Sequence, residues 1–172
     1  MNPLYETRPA VTVRPAADND AEAIRAIRNH AIEHSTALWT RALQSPAEAA
    51  GWLAVHLARG SAFVAEAEGE PAGFAVYGPW RASDGYRHTV EDSIYVREGR
   101  QGLGIGSALL AALIASAREA GHHVMIADIE SGNAASIGLH ERFGFDRVGT
   151  ASEVGTKFGR WLDLTIMRLS LT

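Results

Sequence analysis

Three stretches of the chain bring chemically useful residue types together at short spacing. The first is Gln101-Gly102-Leu103-Gly104-Ile105-Gly106, which falls between a β-branched run and a long Ala/Leu stretch. Glycines there let the backbone approach a ligand closely, and the first N–H groups of the following helix have no intrahelical partner. With the helix dipole this makes an anion site suited to phosphate, although a loop that needs glycine only to turn would read the same. The second is the pair Glu91-Asp92, the kind of carboxylate that could take a proton from an amine. On an extended strand the two face opposite ways, so one of them reads as structural. The third is Asn133-Ala134-Ala135-Ser136 followed by His140-Glu141-Arg142, about one helix long and 27 residues beyond Gly106.

The phosphate ligand is narrowed by what the glycine loop lacks. The dinucleotide pattern G-x-G-x-x-G fails because Ser107 stands where the third glycine belongs. A mononucleotide P-loop needs Gly-Lys-Ser/Thr, and the one lysine of the chain is Lys157. The chain has no cysteine, which removes disulfides, thiolate metal sites and a cysteine nucleophile. A net charge of −4 without a basic run gives nothing to track nucleic-acid phosphates. At 172 residues, with 47% hydrophobic and 21% charged residues, the chain is of ordinary globular composition and long enough to bury a core. No run reaches the length of a membrane helix, and Met1 to Pro9 has no apolar signal-peptide core. The expectation is a cytoplasmic protein that engages neither membrane nor nucleic acid and holds no metal.

The elements that must position these residues follow from periodicity. Residues 1–10 read as a polar leader and 11–172 as one domain. Val11 to Arg14 reads as a strand, and Asp18 as the N-cap of a helix carrying Ile24, Ile27 and Ala31. After a polar break from Ser35 to Gln44 that contains Trp39, Ser45-Pro46-Ala47-Glu48 is a capping box for a helix to about Arg59. Ser61–Ala67, Gly73–Tyr77 and Thr89–Val96 read as strands. The helix after Gly106 should stop near Gly121. Val124–Ile129 is an apolar strand, Asn133–Phe143 a helix, and Phe145–Val148 and Trp161–Leu171 the last strands. The order β-α-α-β-β-β-α-β-α-β-β predicts an α/β (α+β) fold, a mixed sheet of about seven strands with helices on both faces.

In this order the motifs resemble those of the GNAT family of acetyl-CoA-dependent N-acetyltransferases over nearly the whole chain. Within it they look closest to the phosphinothricin and methionine sulfoximine acetyltransferases. The blocks that carry the resemblance are Trp80-Arg81, Arg87-x-Thr89-Val90-Glu91-x-Ser93-Ile94-Tyr95-Val96, Ile129-Glu130-Ser131-Gly132-Asn133-Ala134-Ala135-Ser136, and Val154-Gly155-Thr156-Lys157-Phe158-Gly159-Arg160-Trp161-Leu162-Asp163.

The resemblance implies acetyl-CoA as co-substrate and a role for each matched position. Glu91 is expected to accept the proton of the substrate amine, directly or through a water. The backbone of Ile94, Tyr95 and Val96 is expected to hold the pantetheine arm, with an N–H polarising the thioester carbonyl. Gly102, Leu103, Gly104, Ile105, Gly106 and Ser107 are expected to hold the pyrophosphate. Asn133 matches a CoA-contacting asparagine, and Arg142 could reach a CoA phosphate or simply be solvated. Where many GNAT enzymes carry a tyrosine seven residues after that asparagine, this chain has His140, either a proton donor to the CoA thiolate or a core histidine. Arg81, Ala82, Ser83, Arg87, Glu91, Asp92 and Ser93 are expected to line the acceptor site, the arginines pairing with a carboxylate or phosphinate. Trp39 and Phe158 would be apolar walls, or core.

The expected activity is acetylation of the α-amine of phosphinothricin, methionine sulfoximine or methionine sulfone, by direct attack in a ternary complex. Detoxification is the expected role and a homodimer the expected assembly. A polyamine or a protein N-terminus as acceptor, and a non-catalytic CoA sensor, are the alternatives.

Overall fold

The computed structural model describes residues 10–172, so the leader expected over residues 1–10 lies, but for Ala10, outside the described residues. The elements are β1 (Val11–Pro15), α1 (Ala21–His34), α2 (Pro46–Arg59), β2 (Ala62–Ala67), β3 (Glu70–Pro79), β4 (Thr89–Val96), α3 (Ile105–Glu119), β5 (Val124–Glu130), α4 (Ala134–Arg142), β6 (Asp146–Lys157) and β7 (Arg160–Ser170). Their order is the expected one. The strands form one seven-stranded mixed sheet, β1-β2-β3-β4-β5-β7-β6, antiparallel except between β4 and β5.

That parallel pair makes the feature on which the site depends. Thr89–Glu91 pair with Val124–Ile126, and there the pairing stops. Strand β4 runs on to Val96 beside β3, and β5 to Glu130 beside β7. The sheet therefore forks beyond Glu91, leaving one backbone edge of β4 without a strand partner among the described residues.

Helices cover both faces. On one, α3 buries Ile105, Leu109, Leu110, Leu113, Ile114 and Ala117 against Ala65, Ala67, Ala72 and Ala75, whose small side chains let the helix lie close. The closest approach is at Gly73, where a Cβ would stand 2.9 Å from both Ile105 Cγ2 and the Tyr95 carbonyl oxygen. On the other face, Ile24 and Ile27 of α1 and Leu53 of α2 pack on Val64, Phe74 and Val76. Among the described residues no helix is long and apolar enough to cross a membrane.

Two local expectations are corrected. Asp18 does not cap α1 with its side chain; residues Asp18–Asp20 form a 3-10 turn, and the helix starts at Ala21. Asp20 is the working carboxylate, accepting from the Ala17 N–H at 2.8 Å and from both Nη atoms of Arg14 at 2.7 and 2.8 Å. Strand β6 runs to Lys157, far beyond Val148. That extension, with Gly149, Ser152 and Gly155 among its β-branched residues, shows no regular alternation to read. It is held by β7 across two register shifts, with the Glu153 N–H given to Asp163 Oδ1 at 2.8 Å. The α2 capping box forms as expected, Ser45 Oγ accepting from Glu48 N and Glu48 Oε2 from Ser45 N.

Candidate active site

Strand alternation sorts β4 into two sets of side chains. Val90 and Ile94 pack with the α3 side and Tyr95 with the α1 side, which places Glu91 and Ser93 on the Tyr95 face. Glu91 thus stands at the crotch of the fork, half-buried. Burial pushes its carboxyl up to about 7, and the nearby charges of Asp128 and Asp92 push in the same direction. A carboxyl that titrates near neutrality is matched to taking a proton from an amine at neutral pH.

Past the fork a groove of about 990 Å³ runs between α1, the end of β4, the glycine loop and α4; its lining on β4 starts at Ile94, and Glu91 does not line it. Of the residues expected to hold acetyl-CoA, Ile94 to Val96, Gly102, Gly104 to Ser107, Asn133 and Arg142 line it. Leu103 does not; its side chain packs against the main core. Gly102 and Gly104 take φ of 80° and 85°, and Gly104 caps α3 without a side chain, so that the first N–H groups of α3 face the groove. The free edge of β4 offers backbone donors and acceptors to an amide-containing arm. Arg97, Arg100 and Arg142 add cationic charge along the wall. An apolar trench with an amide-binding edge and an anion nest at one end fits an acyl-CoA. Sequence reasoning missed the α1 wall, Ala26, Ile27, His30 and His34, because a helix face that meets a ligand carries no motif.

His140 is not brought to that groove. Its ring is buried on the opposite face of β4 from Glu91, with Nε2 2.9 Å from Asp92 Oδ2 and Nδ1 2.8 Å from the Ser136 carbonyl. The Ser136 carbonyl accepts, and so does the ionised Asp92, so the two contacts favour the doubly protonated ring. Burial opposes that charge, but the hydrogen bond and charge of Asp92 and the Ser136 carbonyl hold the ring above its ordinary value. Asp92 correspondingly faces α4 and not the acceptor side, and is the structural member of the carboxylate pair.

The other residues expected at the acceptor side sit on loops. Arg81 stacks on Trp80 at 4.4 Å and lies 5.7 Å from Tyr86, which holds its guanidinium at the rim beside Asp128 of β5. Ala82 and Ser83 are exposed next to it, and Arg87 is exposed and turned back onto the Asp84 carbonyl. Trp39 lies on Gly155, where even a methyl group would collide with the indole, and its Nε1 donates to the Thr36 carbonyl at 2.9 Å. Buried Lys157 pins the same segment, donating to the carbonyls of Ser35 and Leu38 at 2.6 Å each. Thr36 in turn donates to Glu130 Oε2 at 3.0 Å, whose Oε1 accepts from Gly132 N at 2.9 Å. The segment 35–39 is therefore tied to both β6 and β5. Phe158 is half-exposed at the tip of the β6–β7 hairpin, not core.

The sequence model of the acetyltransferase (GNAT) family matches residues 24–145. The chain is 47% identical over 164 residues to an L-methionine sulfoximine/L-methionine sulfone acetyltransferase of Pseudomonas aeruginosa, covering 94% of this chain and 95% of that one. A solved phosphinothricin acetyltransferase of the GNAT superfamily from Sinorhizobium meliloti, in complex with acetyl-CoA, superposes with a TM-score of 0.90 at 34% identity, covering 93% and 88% of the two chains. A ribosomal-protein-alanine N-acetyltransferase structure from Brucella melitensis superposes with a TM-score of 0.90 at 46% identity, covering 92% and 99%.

Proposed function

The chain belongs to the GNAT acetyltransferase family, and from that membership we propose that it acetylates the α-amine of a small amino-acid-like acceptor, with methionine sulfoximine, methionine sulfone and phosphinothricin as its acceptors. The carrying observation is Glu91, a carboxyl raised to about 7 at the point where β4 and β5 part. Acetyl-CoA supplies an activated acetyl thioester; the groove residues hold it, the glycine-loop N–H groups taking the pyrophosphate and Asn133 and Arg142 the remaining contacts. Glu91 takes a proton from the acceptor's ammonium, which leaves the nitrogen lone pair free to attack. A backbone N–H of Ile94 to Val96 donates to the carbonyl oxygen as negative charge grows on it. Attack is direct, since the chain has no cysteine to carry the acyl group. His140 serves this scheme by fixing Asp92, and through it the strand that carries Glu91.

Arg81 takes the acceptor's carboxylate or phosphinate. Arg81→Ala raises the acceptor KM by about 10- to 100-fold, the loss of a charge-assisted pair, and leaves the acetyl-CoA KM unchanged. Initial rates with each substrate varied in turn check this; an unchanged acceptor KM removes Arg81 from the site.

The similarity to a ribosomal-protein-alanine acetyltransferase supports a second reading, acetylation of a peptide N-terminus. CoA thiol release in the presence of methionine sulfoximine, phosphinothricin, ordinary amino acids, an alanyl peptide and spermidine separates the two. Saturable release with the first two supports the acceptor class proposed; release with the peptide alone supports the second reading. Thiol silence with tight acetyl-CoA binding points to a sensor.

The acceptors named would make the role detoxification, in the cytoplasm. Pairing of two copies is supported by Val154, Phe158 and Trp161, exposed together on the β6–β7 hairpin, and sedimentation of the purified chain checks it.

A further inference from the structure

Asp128 sits in β5, a strand whose odd-numbered residues, Met125, Ala127 and Ile129, all belong to the core beneath α3. Its own side chain points to the other face, shared with Glu91. The strand register pairs Glu91 with Ile126, so Asp128 lies two residues further along the same face, about 7 Å at the rise of a strand. It lies beyond the fork, where β4 no longer covers β5. One of its carboxylate oxygens, Oδ1, is buried and has no hydrogen-bond partner among the described residues. Leaving a buried acceptor unpaired is costly, and more so for a charged one. Evolution of a stable fold would remove such a group by Asp→Asn or Asp→Ala unless something that binds there completes it.

The neighbours say what that partner must be. Glu130, the next carboxylate along the face, is already satisfied by Thr36 and Gly132. The Trp80 indole hydrogen-bonds the Asp128 carboxylate from the rim with the Arg81 charge nearby, which leaves Oδ1 as the oxygen a ligand can still complete. On Glu91's own strand, Asp92 is turned away and paired with His140, and Tyr95 is buried toward α1 within the influence of Arg28. Two carboxylates on one face, with one oxygen unpaired and no cation between them among the described residues, make a receptor for a small cation with several N–H donors.

We infer that Asp128 is a substrate-contacting residue of the acceptor site, whose buried oxygen accepts one N–H of the acceptor's ammonium while Glu91 receives another. This deepens the proposed function and rests on it. In the step that follows, the N–H bond toward Glu91 breaks and an O–H bond forms on Glu91. The nitrogen keeps the electron pair that then makes the N–C bond, the C–S bond of the thioester breaks, and the second proton lost by the nitrogen passes to the departing sulfur, which leaves as the CoA thiol. Asp128 keeps its own hydrogen bond from the nitrogen and fixes the direction of the lone pair; burial raises its carboxyl above the usual carboxylate range, opposed by the Trp80 hydrogen bond and the Arg81 charge. The Asp128 charge also favours the protonated form of Glu91, in keeping with the upward shift of that carboxyl.

The test is Asp128→Asn, which keeps shape and removes charge, assayed on whichever amine the wild-type chain turns over. The acceptor KM rises about 10-fold or more, the acetyl-CoA KM holds, and the acid limb of kcat/KM against pH moves to lower pH because Glu91 loses a like-charged neighbour. The melting temperature holds or rises, since a buried unpaired carboxylate has been removed. Asp128→Ser repeats the KM effect without the amide. An unmoved acid limb, an unmoved acceptor KM, or a lowered melting temperature with unaltered kinetics overturns the inference and makes Asp128 structural. Turnover of spermidine or peptide alone overturns the amino-acid reading but leaves this test standing, as those amines are also ammonium ions. No turnover of any amine overturns both.

Discussion

Glu91→Gln lowers kcat by about 10²- to 10⁴-fold, the range that removal of a positioned general base costs, while calorimetry finds acetyl-CoA bound as tightly as before. The argument rests on protonation states. An amino acid's α-amine is an ammonium at neutral pH and has no lone pair to offer. Glu91 titrates near 7, so close to half of it is ionised at neutrality and ready to accept the proton. Only the ionised form works, so kcat/KM of the wild-type chain climbs through an apparent pKa of about 7 and levels above it. The glutamine variant keeps the shape and the fork but lacks the base, and its residual rate loses that limb. A full rate in Glu91→Gln would make Glu91 a packing residue.

His140→Ala destabilises the fold by about 3–5 kcal/mol, the cost of leaving a buried charge without its partner. For a chain of this size that lowers the melting temperature on the order of 10 °C. The pH dependence separates this from a simple cavity. In the folded chain Asp92 and the Ser136 carbonyl hold the His140 proton against burial, so its pKa stands above that of an unfolded histidine, about 6.5. The stabilisation is therefore complete below about pH 6.5 and is lost as pH rises through the folded value. Wild type minus variant, followed by thermal melts from acid to alkaline pH, narrows on the alkaline side. A gap that stays constant with pH would mean that His140 is neutral in the fold. The remaining activity of the variant at low temperature keeps an acid limb set by Glu91, moved to higher pH because Asp92 then acts on Glu91 without its imidazolium partner.

The sequence carried the fold well where a rule acts locally. The Ser45–Glu48 capping box, the glycine loop before α3 and the apolar run of β5 each specify their element by short-range chemistry. It carried β6 poorly, because the second half of that strand owes its conformation to β7 and not to its own side chains. Asp18 and Asp20 are indistinguishable as helix starters until Arg14 of β1, a tertiary partner, selects Asp20. At the site, Glu91 and the groove were legible as a strand position and a loop pattern. His140 was not: a position in a helix does not say which face of β4 it meets, and the Asp92 contact joins residues far apart in the chain. The one trace of Asp128 in the sequence was a lone carboxylate within the apolar run Val124–Ile129. The tie from Lys157 to segment 35–39 spans more than a hundred residues and left no local mark.

The most direct test of acetyl transfer to an α-amine is to identify the product. The purified chain is incubated with acetyl-CoA carrying a ¹³C-labelled acetyl group and with methionine sulfoximine, and the product is read by NMR. The account predicts an acetamide on the α-nitrogen, formed in step with free CoA and nearly absent with Glu91→Gln. Label on the sulfoximine nitrogen, label on the protein itself, or no labelled product despite bound acetyl-CoA would contradict it.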